Sequence, residues 1–185
     1  LKKEAQDDLA ELLQKTSLSS IISTAKIVAN RLDFLDGLEH LVFDKDYKKA
    51  LLERDQLHKI LENEAWIFHE EFSLAASEQR LEDVLNKYLH YLGDRSDEPV
   101  MLPDGKQGRI DLMLSKVIQP RAGEHDYLVV ELKRPSKKVD SEVVTQVEKY
   151  AMAVAGDERF TSVPAKWTFI AVSNEMDDYA KRKAS

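Results

Sequence analysis

Tyr127-Leu128-Val129-Val130-Glu131-Leu132-Lys133-Arg134-Pro135 is an apolar run that ends in charge. Its β-branched centre, and a Pro that cannot donate to a sheet ladder, predict a buried strand over 127–133 that stops at Pro135. Side chains alternate on a strand, so Glu131 and Lys133 share one face, about 7 Å apart. Charges at the end of a buried strand need a partner or a metal.

Working outward, Gly108-Arg109-Ile110-Asp111-Leu112 opens an earlier apolar stretch, predicted as a strand over 109–118. A turn over 119–126, with Pro120 and Gly123, joins the two strands. With Asp111 and Glu131 on neighbouring strands, the two carboxylates can grip one divalent cation, since hard ions such as Mg²⁺ or Mn²⁺ take oxygen ligands. Lys133 then stands where it can orient or deprotonate a water, an assembly suited to hydrolysis of a phosphodiester. Downstream, Asp140 caps a helix predicted from Ser141 to about Ala155, with Gly156 as its stop. Gln146 and Tyr150, four residues apart, lie on one face of that helix. Trp167-Thr168-Phe169-Ile170-Ala171-Val172 reads as a further buried strand. Strand, strand, helix, strand makes an α/β core.

The first half has another texture: Gly37 is the one Gly before residue 93, and every Pro lies from Pro99 onward. Helical spacing predicts helices over 2–15, over 17–35 with Gly37 as the end, and over 45–63. Trp66-Ile67-Phe68, followed by Phe72 and Leu74, predicts an early strand or hairpin. Leu81, Val84, Leu85, Tyr88 and Leu89 resume a helical stripe, and 93–108 reads as a loop. The domain reading is therefore an N-terminal helical region over 1–50 and an α/β domain over 51–185.

With 185 residues the chain can bury a sizeable core. It has no Cys, which excludes disulfides and thiolate zinc sites and fits a reducing compartment, so a cytoplasmic location is expected. No apolar run suits a bilayer span, so no membrane partner is expected. A first residue of Leu reads as the start of an excised or processed piece of something larger. The net charge of −7 and pI near 5.3 argue against a broad basic face for nucleic acid. Local charge opposes that: Lys133, Arg134, Lys137 and Lys138 cluster after the strand, where they can meet phosphates; their ordinary reading is a solvated turn. His40, His58, His69, His90 and His125 show no metal-ligand spacing.

Asp111, then Glu131-x-Lys133, then Gln146-x-x-x-Tyr150 resembles the PD-(D/E)XK nuclease superfamily, in the branch of RecB-type and phage exonuclease-type domains. The wider wording over roughly 50–175 is similar to the nuclease domain of Shedu anti-phage defence proteins: Leu57-His58-Lys59-Ile60-Leu61, Trp66-Ile67-Phe68, Gly108 to Leu112, Val129 to Pro135 and Gln146 to Ala151. The resemblance implies a restriction-endonuclease-like core, a mixed four-stranded sheet flanked by helices, preceded here by the N-terminal helices. It implies that Asp111 and Glu131 bind Mg²⁺ or Mn²⁺, that Lys133 is catalytic and that Gln146 orients the site or a DNA phosphate. Arg134, Lys137, Lys138 and Tyr150 are the candidate DNA contacts. It further implies a homo-oligomer and additional domains of a larger defence protein. The chain departs from the family at Ile110, which stands where the superfamily name has Pro. Many members of the branch add a glutamate from the first core helix; Glu53 ranks first and Glu71 second for that role, with Glu62, Glu64 and Glu70 competing.

Ordinary readings stand beside these. A strand-end salt bridge accounts for Glu131 with Lys133, and a plain helix face accounts for Gln146 with Tyr150. Three functions follow: a Mg²⁺-dependent endonuclease or nickase, a degenerate nuclease fold that only binds DNA or a protein, and a helical oligomerisation or regulatory arm before residue 65 with the α/β domain as passenger.

Overall fold

A computed structural model describes residues 3–46, 56–91, 98, 100–106, 108–116, 124–161 and 164–184. The chain divides into two compact units, Leu1–Tyr47 and Lys48–Ser185.

The first unit is helical. Helix α1 spans Lys3–Lys15, with Glu4 in its first turn and Lys15 in its last, charges that complement the helix dipole. Helix α2 spans Leu18–Phe43 and is capped by Ser17, whose hydroxyl accepts from the Ser20 N–H at 3.2 Å. Gly37 does not end it. A helical Gly costs only about 1 kcal/mol relative to Ala, which the surrounding helix formers offset. The helix stops at Asp44, whose backbone is extended.

The second unit contains α3 (His58–Asn63), a 3₁₀ turn (Ala65–Ile67), β1 (Phe72–Ser77), α4 (Leu81–Tyr91), β2 (Leu112–Lys116), β3 (His125–Leu132), α5 (Ser141–Ala155), α6 (Glu158–Thr161), β4 (Ala165–Val172) and α7 (Asp178–Ala184). Where an early strand is predicted at Trp66, the chain makes the 3₁₀ turn. The Ile67 N–H donates to the Glu64 carbonyl at 3.0 Å and the Phe68 N–H to the Ala65 carbonyl at 3.1 Å, so local bonds use the backbone groups a ladder would need. The predicted strand over 109–118 is shorter: β2 begins at Leu112, and Arg109 makes only a lone bridge to Arg80.

The sheet order is β1-β2-β3-β4, with both β1/β2 and β2/β3 antiparallel and β3/β4 parallel. The parallel pair requires a crossover, and α5 lies on it. β3 is buried on both faces, which is why 127–130 reads as a continuous apolar run rather than an alternation. Tyr127 and Val129 share one core with Leu85, Tyr88 and Leu89 of α4 and with Tyr150, Ala153 and Val154 of α5. Aromatic rings seal its far end: Tyr127 stacks on Trp167 at 4.5 Å between centroids and meets Tyr88 edge-on at 4.7 Å. Since side chains two apart share a face, Glu131 continues the Tyr127–Val129 row toward α5.

Candidate active site

The site sits where β2 begins and β3 ends. Leu112 pairs with Val130, so Asp111, one residue earlier, lies opposite Glu131. Both carboxylates are buried, at 5 % and 4 % exposure. Asp111 is fixed by the Leu132 N–H, which donates to its Oδ2 at 2.7 Å. Glu131 Oε1 accepts from Lys133 Nζ at 2.5 Å and from Gln146 Nε2 at 2.8 Å. Glu131 Oε2 is buried with no hydrogen-bond partner. Burial, and next the charge of Asp111, push the Glu131 carboxyl up to about 7, although Lys133 and Gln146 pull the other way.

Helix α5 supplies the lid of this arrangement. Asp140 is its cap, accepting from the N–H groups of Glu142 and Val143, and Val143, Tyr150, Ala153 and Val154 bury its inner face. Gln146 and Tyr150 stack one turn apart. The second Gln146 amide proton goes to the Tyr150 hydroxyl at 2.7 Å, and that hydroxyl donates to the Arg109 carbonyl at 2.8 Å. A single relay thus runs from the segment before Asp111, through Tyr150 and Gln146, to Glu131. Burial holds the Tyr150 phenol up at about 12, so it remains a hydrogen-bond donor at neutral pH.

Gly108 makes the relay possible. A Cβ there would stand 2.7 Å from Tyr150 Cε1 and 3.1 Å from Leu102 Cδ1. Gly108→Ala is therefore expected to push the Tyr150 ring off the Arg109 carbonyl and to cost about 1–3 kcal/mol in urea unfolding. An unchanged midpoint would mean the ring gives way freely. Nothing in the apolar periodicity distinguishes Gly108 from a loop glycine.

Glu78 is a second residue that the sequence reading missed. It follows β1 with φ +49, in the left-handed region that non-glycine residues rarely occupy. Its N–H donates to the Asp111 carbonyl at 2.9 Å. Its carboxylate stands 3.1 Å from Arg109 Nη2 and 3.3 Å from Nδ1 of buried His58, whose Nε2 lies 2.9 Å from Ser77 Oγ. The strained turn is thus tied down on both sides of Asp111.

An open cleft of about 600 Å³ reaches Glu131, Lys133, Gln146 and Tyr150, with Arg109 and Lys149 also on its wall. Lys149 is held by Asp104 at 2.6 Å. Of the candidate phosphate contacts, Lys137 stays beside the cleft, 3.8 Å from Glu142 on its wall and 3.6 Å from Asp140. Lys138 turns instead to Glu175 at 2.8 Å, and Arg134 is exposed.

Among the described residues, no upstream glutamate joins the pair. Phe72 pairs with Lys116, so Glu71 lies at the opposite end of the sheet from Asp111, about 20 Å away along the strands. Its carboxylate meets Lys116 Nζ at 3.2 Å. Antiparallel pairing sets the start of β1 against the end of β2, and this removes Glu71 from the candidate ligands. Glu53 lies outside the described residues. Among the described residues, no group of three or more His, Asp or Glu side chains is placed to hold a metal, so Glu62, Glu64 and Glu70 add nothing to Asp111 and Glu131.

The pair nevertheless fits a hard divalent cation. Two adjacent buried carboxylates repel each other, and one oxygen, Glu131 Oε2, has no partner. A Mg²⁺ ion needs only one or two protein carboxylates and fills its other positions with water and substrate oxygens.

No described helix is long and apolar enough to cross a membrane. Comparison of the chain with protein-family models, curated proteins and solved structures finds no match in any of the three.

Proposed function

We propose that the chain is a metal-dependent nuclease domain that hydrolyses DNA phosphodiester bonds, with a restriction-endonuclease-like core of the PD-(D/E)XK kind. The observation that carries this reading is the pairing of Asp111 with Glu131 beside Lys133, with one buried Glu131 oxygen left unpartnered. A divalent cation held by Asp111 and Glu131 would neutralise charge on the phosphate and lower the pKa of the attacking water. Lys133, on the same face, would orient or deprotonate the attacking water. Gln146 holds Glu131 in place, while Arg109 and Lys149 offer the cleft's charge to the DNA backbone. The resemblance to Shedu nuclease domains extends the proposal to a cytoplasmic module of a bacterial anti-phage defence protein.

A degenerate, DNA-binding fold is the second reading, favoured by the absence of a third carboxylate among the described residues. Thermal unfolding separates the two. Added Mn²⁺ or Mg²⁺ is expected to stabilise the chain by about 2.7 kcal/mol at a hundredfold excess over Kd. An Asp111→Asn/Glu131→Gln variant is expected to gain nothing, and equal gains in both proteins would place any bound metal elsewhere.

Gln146→Leu is expected to slow cleavage about tenfold, the equivalent of one hydrogen bond of about 1.4 kcal/mol. A rate equal to that of the unaltered chain would reduce Gln146 to packing.

A further inference from the structure

A second hollow, of about 470 Å³, adjoins the cleft of Glu131 and Lys133: Gly108 and Arg109 line both, and Glu78, Gln79, Arg80 and Asp83 complete the second. Backbone bonds fix the two segments that form it. Arg80 and Arg109 pair in an isolated antiparallel bridge, the Leu81 N–H donates to the Gly108 carbonyl at 2.8 Å, and the Ile110 N–H to the Gln79 carbonyl at 3.1 Å. Directly opposed residues put their side chains on one side, so two guanidinium groups rise from adjacent positions. Like charges so placed are destabilising, a cost that an anion set between them would offset. Glu78 answers for Arg109, at 3.1 Å from its Nη2. Arg80 is exposed and, among the described residues, has no ion-pair partner, not even Asp83 three residues on. In the cleft, by contrast, Lys133 holds Glu131 and Lys149 holds Asp104. A phosphate must displace a carboxylate from those cations, whereas at Arg80 it displaces water.

We propose that this hollow is a second phosphate subsite. A DNA strand whose scissile phosphate lies at Asp111 and Glu131 passes over Arg109 and sets a neighbouring phosphate against Arg80. The proposal rests on the nuclease reading of the cleft. Arg109 stands two residues from Asp111, about 7 Å along an extended chain, which a DNA strand covers in about two nucleotides. Arginine suits the task, since its planar, permanently charged fork matches two phosphate oxygens at once. The substrate is then a strand that continues beyond the bond cut, so on this side internal bonds are favoured over terminal ones.

The test is the salt dependence of binding to a labelled DNA duplex, read by fluorescence anisotropy with the full chain in chelator, where nothing is cut. Arg80→Gln is expected to weaken binding about fivefold to tenfold and to lower the slope of log Kd against log salt by about 0.9, the loss of one phosphate contact. Arg80→Lys keeps the charge and is expected to restore the slope, a rescue that a merely structural role does not produce. An Arg80→Gln slope equal to that of the unaltered chain, a slope that Arg80→Lys fails to restore, or no binding by the unaltered chain overturns the subsite. Cleavage is scored separately, on plasmid with Mg²⁺. An intact plasmid with a lowered Arg80→Gln slope sinks the nuclease reading and keeps Arg80 as a DNA contact; a cut plasmid with an unchanged slope does the reverse.

Discussion

Lys133→Ala is expected to lower metal-dependent DNA cleavage by about 10²-fold or more while the protein still gains thermal stability from Mn²⁺. The two effects separate because of where the ammonium sits. Lys133 Nζ bonds Glu131 Oε1 from two residues along the same strand face, while Asp111 approaches Glu131 from the neighbouring strand. Removing Lys133 leaves both carboxylates in place but strips the cleft of the donor nearest them. The measurement is the initial rate of plasmid nicking at saturating metal, with thermal unfolding of the same samples. Cleavage at the unaltered rate would remove Lys133 from the chemistry and leave a strand-end salt bridge.

Glu131→Gln is expected to abolish cleavage and, in chelator, to remove a loss of stability that the unaltered protein suffers as pH rises. The sign follows from proton counting. The folded-state Glu131 carboxyl titrates at about 7 against 4.5 for the ordinary group, so between those values the folded protein holds more protons than the unfolded one. Stability therefore falls as pH rises through this window, by about 3 kcal/mol for a shift of this size, and the full loss is present above pH 7. Gln keeps the shape and the Lys133 and Gln146 neighbours without the ionisation. Urea midpoints across pH 5–8 are expected to converge at the acid end and to separate at the alkaline end, with the Gln variant the more stable. Parallel curves would mean that Glu131 is ionised throughout and that its burial costs nothing.

The parts of this site legible in the sequence are those governed by short periods. Alternation on a strand fixes Glu131 and Lys133 to one face, and the 3.6-residue helix fixes Gln146 above Tyr150; the Lys133–Glu131 and Gln146–Tyr150 bonds follow from those periods. Asp140 as the cap of α5 was equally legible, because a short acceptor before an apolar helical stripe satisfies orphan N–H groups.

What the sequence hides depends on register and on close approach. Glu71 is a candidate ligand by the family resemblance, yet the direction of β1 carries it to the far end of the sheet. Gly108 reads as loop composition, and only the Tyr150 ring at 2.7 Å from its would-be Cβ explains it. Glu78 carries no sequence mark of its left-handed turn, which is imposed by bonds on either side of it. Gly37 shows the converse, a breaker overridden by the helix around it.

The most direct test is incubation of the purified chain and its Asp111→Asn variant with supercoiled plasmid, in Mg²⁺, Mn²⁺ or chelator. Conversion of supercoiled to nicked or linear DNA is expected from the unaltered chain with metal, and none in chelator or with Asp111→Asn. No cleavage by the unaltered chain with either metal, or cleavage that persists in Asp111→Asn, contradicts it.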